Sequence, residues 1–223
     1  MDVGQRPGSP TGSWPAACEE LLDYLAIEQS ALLGSSAGCP LTFATSATLG
    51  SRITRVAIVG PMSPFGDAGD MADMDSGQRR MFNIFFRWPT IGATSMRAMG
   101  AVGRRAPRLL LRAVARQRPA VDAERMNEDH LRNLMLESIP GLMGGAAADD
   151  LRLLVSEWRD VVEATTQPVR ICVGTTDSVH PRSMADGLST RLADVQTVAV
   201  EGGFFACTDR LDEILRWATG QTD

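Results

Sequence analysis

"ALLGSSAGCP", Ala31 to Pro40, decides the reading of the fold, because an apolar strand-like run ends there at Gly34 and a helix-like segment, "CPLTFATSATLG", follows directly. Between them lies Gly34-Ser35-Ser36-Ala37-Gly38, a G-x-S-x-G. Small residues are needed where a strand turns abruptly into a helix, and the turn forces the serine into a strained backbone with its hydroxyl exposed at the end of the strand. Ser36 is thereby a nucleophile candidate. The backbone N–H of Ala37, at the start of the following helix, would face an oxyanion. The competing reading is a tight strand-to-helix turn with no chemistry. Its weight falls because strand, turn and helix come in the required order.

Working outward, "RVAIVGP" (55–61), "PVRICVG" (168–174) and "VQTVAV" (195–200) are apolar, β-branched runs of the kind expected of strands buried on both faces of a parallel sheet. Each is followed by a helix-like segment, so the sequence predicts an α/β fold with a mostly parallel sheet flanked by helices. Apolar spacing predicts a helix over about 15–26, and another near 182–192. From Met62 to Thr166 the pattern changes to methionine, arginine and alanine at helical spacing, with no convincing strand. That stretch reads as a helical lid inserted into the core, in pieces near 76–87, 90–117, 122–138 and 146–164. The predicted organisation is therefore 1–61 (first part of the core, with the serine turn), 62–166 (lid) and 167–223 (second part of the core).

Two further stretches bear on chemistry. In "VGTTDSVHP" (Val173 to Pro181) a buried strand ends in Gly174, and Asp177 follows where a carboxylate could orient a histidine. A local turn or helix cap is the alternative for Asp177. In "VAVEGGFFAC" (Val198 to Cys207) a strand runs into a glycine turn that carries Phe204 and Phe205.

Taken together, these residues resemble the α/β-hydrolase family of serine hydrolases over nearly the whole chain. "LLGSSAGCP" is similar to the family's nucleophile elbow, "VGTTDSVHP" to its acid loop, "QRPGSPTGS" to its arginine-proline-glycine loop, and "RVAIVGPMSP" to the strand entering the lid. The resemblance implies Ser36 as nucleophile, Ala37 as a backbone oxyanion donor and Asp177 as the acid. It also implies a histidine after the last strand, where this chain has Phe204. A phenyl ring cannot take a proton from Ser36, so impaired catalysis is expected. His180, three residues after Asp177, is the weak rescue candidate, since a residue so close on the same loop is not expected to point back to both Asp177 and Ser36. The family's early strands are not recognisable either. Four parallel strands are expected, in spatial order elbow, Arg55, Val169 and Gln196 strands, with 29–33 as a bare apolar edge and a natural chain that starts upstream of Met1.

The remaining composition narrows the partners. With 223 residues, 44% apolar and a net charge of −5, the chain suits a sizeable core and does not favour nucleic acid. No apolar run approaches the roughly 18 residues of a membrane span, and the start lacks a signal-peptide pattern, so the expected location is cytoplasmic. Ten arginines and no acid lie between Ser76 and Val121. Their main reading is a solvated outer face of the lid, and contact with anionic membrane is the lesser one. Cys18, Cys39, Cys172 and Cys207 are widely spaced and read as packed thiols, while His130 reads as a solvated residue. No metal or cofactor is expected, because no G-x-G-x-x-G and no ligand cluster is present. The implied function is hydrolysis of a small apolar ester or amide, esterase-like, through an acyl-serine, impaired by Phe204. The alternative is a pseudoenzyme that binds a ligand or partner without turnover. Self-association is compatible with either.

Overall fold

A computed structural model describes residues 10–65, 71–142 and 145–221. Four strands, β1 (Ser30–Ser35), β2 (Ile53–Val59), β3 (Val169–Gly174) and β4 (Val195–Val200), pair in parallel in the order β1-β2-β3-β4. This is the expected spatial order. β3 is buried along almost its whole length and β2 from Val56 onward, as the apolar runs require. β1 is an outer strand, and Leu33 is 44% exposed.

Helices α1 (Pro10–Tyr24) and α2 (Cys39–Leu49) precede β2. Between β2 and β3 the described residues form only helices: α3 (Ser76–Arg87), α4 (Pro89–Arg105), α5 (Pro107–Ala115), α6 (Ala120–Arg125), α7 (Asp129–Leu142), α8 (Gly145–Leu154) and α9 (Arg159–Glu163). α10 (Arg182–Ser189) joins β3 to β4, and α11 (Phe204–Thr208) and α12 (Leu211–Ala218) close the chain. Three of the expected long helices prove to be pairs. The piece near 90–117 breaks at Ala106, which Pro107 forces out of the helical region to φ −140°, ψ 59°. Arg104 and Arg108 therefore do not share one helix. The pieces near 122–138 and 146–164 likewise divide, at 126–128 and 155–158.

The core lies mainly between α2, the sheet and α9–α10. Phe43 and Trp158, both buried, stack at 6.2 Å, and the indole N–H of Trp158 donates to the Leu154 carbonyl at 3.1 Å. A smaller cluster on the other face joins Ala57, Val59 and Cys172 to Cys207, Ile214 and Ala218. No helix among the described residues is long and apolar enough to cross a membrane.

Register fixes where the chemistry sits. Ser35 pairs with Val59, Val59 with Cys172, and Gly174 with Val200, so the loops after all four strands emerge at the same edge of the sheet. That C-terminal edge is where open α/β sheets form their crevices.

Candidate active site

Ser36 is the first residue past β1 and has φ +49°, the left-handed region that a non-glycine residue adopts only when its surroundings hold it there. What holds it is visible. The Ser36 N–H donates to the Gly60 carbonyl at 3.0 Å, and Thr42 of α2 lies so close to Gly34 that a Cβ at Gly34 would overlap its hydroxyl. The turn thus depends on Gly34, whereas a Cβ at Gly38 would meet nothing within 4 Å. Ala37 follows Ser36 in a short 3-10 turn (Ser36–Gly38) that leads into α2.

Asp177 stands in the loop after β3, buried, and its carboxylate is fully engaged. Oδ1 accepts the backbone N–H groups of Val179 (2.9 Å) and His180 (3.0 Å), and Oδ2 lies 2.9 Å from His180 Nδ1. Burial works to raise the Asp177 pKa, but the hydrogen bonds and charge of His180 and the two amides outweigh it and hold it below the ordinary value. An ionised carboxylate is an acceptor only, so Nδ1 carries the proton and Nε2 is left as the acceptor. His180 Nε2 lies 2.8 Å from Ser36 Oγ.

His180 therefore bridges Asp177 and Ser36, and the expectation that its nearness in sequence keeps it from both is corrected. The reason is the turn itself. By accepting from Val179 and His180, Asp177 Oδ1 curls the loop back on itself, and Pro181, in extended backbone, leads away into α10. Residue 180 is folded over residue 177, with its ring buried and its far nitrogen directed at the end of β1. The signal was present in "DSVHP", an aspartate at the head of a turn closed by proline.

Phe204 opens α11, and its ring lies 5.4 Å from the His180 ring, tilted by 38°. The two rings share the space beside Gly60, where a Cβ would stand 2.8 Å from Phe204 and 3.1 Å from His180 Nδ1. The backbone N–H groups of Phe204 and Phe205 donate to the buried carboxylate of Asp122 in α6 at 3.0 and 3.3 Å. Sequence reasoning missed Asp122. α8 packs against the Ser36–Gly38 turn, and α6 against α11, so helices of the 62–166 stretch reach both the serine turn and the element that carries Phe204.

The other histidine and the remaining polar residues near the sheet edge stay apart from Ser36. His130 is exposed, 3.9 Å from Glu128, and Glu201 is exposed at the end of β4. Cys39 is buried, its sulfur accepting from the Met62 N–H, and burial pushes its pKa up to about 12. Among the described residues no cluster of three metal-ligating side chains occurs.

A parallel sheet flanked by helices, with a strained serine at its C-terminal edge, has the α/β-hydrolase fold. No family model matches the sequence, and no curated protein matches it. Solved structures do. The chain is similar to MGS-M2, an alpha/beta hydrolase enzyme from a Medee basin deep-sea metagenome library, with TM-score 0.63 and 15% identity over 99% of this chain and 76% of that one. It is similar to the esterase RhEst1 from Rhodococcus sp. ECU1013 (TM-score 0.59, 15% identity, 96% and 74% covered) and to the enol-lactonase from Burkholderia xenovorans LB400 (0.57, 17%, 95% and 72%).

Proposed function

We propose that the protein is a serine hydrolase that cleaves a small ester or amide through an acyl-Ser36 intermediate, with His180 as the base in place of the histidine missing at Phe204. The observation that carries this reading is the pair of contacts of His180, 2.8 Å to Ser36 Oγ and 2.9 Å to Asp177. Nε2 takes the proton as Ser36 Oγ attacks the carbonyl carbon, and the neighbouring Asp177 carboxylate stabilises the imidazolium that forms. The Ala37 N–H would hold the oxyanion. Collapse of the tetrahedral species expels the alcohol or amine, protonated by His180, and water repeats the sequence on the acyl-enzyme. Phe204 acts as the wall that supports the His180 ring.

The test is labelling by a fluorophosphonate probe together with turnover of a p-nitrophenyl ester. Ser36→Ala is expected to abolish labelling, and His180→Ala to lower turnover by about 10⁴-fold. Phe204→His is expected to add nothing, because a base is already in reach. Absence of labelling in folded wild-type protein would leave the chain as a non-catalytic binder of a ligand or partner.

A further inference from the structure

The lid helices enclose a cavity of about 370 Å³ that Ser36 and His180 do not line. Its walls come from α3, α4 and α5, with Met81, Phe85, Met96 and Leu110 among them, and Arg118 lines it as well. Thioethers and a phenyl ring make an adaptable apolar lining suited to a flexible chain. Arg118 and Arg80 are the charged residues of the lining, Arg80 exposed and Arg118 half-buried. Burial lowers the Arg118 pKa, and the charges of Asp177, Asp122 and Asp75 act against that, yet among the described residues it makes no ion pair within 4.0 Å and no side-chain hydrogen bond. Asp177 is engaged by His180 and Asp122 by the Phe204 and Phe205 amides, while Asp75 gives Oδ1 to the Gly77 amide and keeps Oδ2 buried without a hydrogen-bond partner. An arginine stays protonated even here, so a half-buried cation lines the cavity.

Arg118 also lies toward the reacting residues, near enough to feel the charge of Asp177. Gly77 and Gln117 line the cavity, Gly77 is bonded to Asp75, and the Asp75 N–H donates to the Ser178 carbonyl, one residue from Asp177, at 2.9 Å. We infer that this cavity binds an amphiphilic anion, an apolar chain lying among the methionines with its anionic group on Arg118. The inference rests on the hydrolase reading only in making that molecule part of a substrate or product, and binding is measurable without turnover.

The experiment uses the Ser36→Ala full chain, decanoate and decan-1-ol as probes, and isothermal titration calorimetry near neutral pH. Decanoate is expected to bind, at least tenfold more tightly than decan-1-ol. Arg118→Gln should remove that preference, Arg118→Lys should retain part of it, and Ala113→Trp, which fills the cavity from an exposed position on its rim, should weaken both probes. Circular dichroism melts identify any variant that has failed to fold. Equal binding of the two probes, indifference to Arg118→Gln in folded protein, or no binding of either overturns the inference and makes Arg118 a counter-ion to the three aspartates. None of these outcomes touches the role of Ser36, which the labelling experiment decides separately.

Discussion

At the level of single residues, the site rests on one carboxylate that does two jobs. Asp177 shapes its own loop through Oδ1 and orients His180 through Oδ2, so its charge matters to the fold as well as to the serine. Its pKa is lower in the folded protein than in the unfolded chain. The unfolded chain therefore binds the proton more readily, and the stabilisation is fully present above the unfolded value of about 3.9 and lost as the pH falls through the lower folded value. Wild type and Asp177→Asn should accordingly differ most in thermal midpoint at neutral pH. The gap should narrow as pH falls below about 4, in a series of melts from pH 7 to pH 2. A gap that is constant over that range would show that the charge contributes nothing and only the shape of the turn matters.

At the level of elements, the joint between α6 and α11 ties the helical stretch between β2 and β3 to the residues around His180. Asp122 is 2% exposed and caps the short helix that carries Phe204. Replacing it by alanine leaves two partly buried amides without their acceptor, which costs on the order of 1 kcal/mol. It also frees the ring that backs His180. Asp122→Ala is expected to lower the denaturation midpoint and to reduce kcat more than KM, and Asp122→Asn, which keeps an acceptor oxygen, should recover part of both. Elements of this kind show where the sequence was readable. The four strands were legible as apolar runs, and Ser36 as a serine among small residues, but only β2 and β3 are buried on both faces; β4, read the same way, is an outer strand and largely half-exposed. The breaks at Ala106 and after Arg125 and Leu154 were not legible, since helical apolar spacing continues across each of them. His180 was hidden for a different reason. Distance along a chain is a poor guide to distance in space when a side chain redirects the backbone, and Asp177 redirects it within three residues.

At the level of the whole molecule, the parallel sheet ends on one side at β1, whose backbone edge has no further strand among the described residues. Leu33 on that strand is 44% exposed, and Leu21, Tyr24, Leu25 and Ile27, in or just after α1, are exposed as well. An apolar strand edge with free N–H and C=O groups offers pairing to any similar edge, and a charged side chain on such an edge is the usual deterrent. Leu33→Lys places one there without disturbing the core, because the leucine already faces solvent. The variant should elute closer to the monomer position in size-exclusion chromatography at high protein concentration and scatter less light on heating. Turnover per Ser36 should be unchanged, because Leu33 lies three residues before the serine and its exposed side chain takes no part in the contacts of His180. If Leu33→Lys leaves the elution profile and the scattering as they were, the β1 edge does not mediate pairing between molecules.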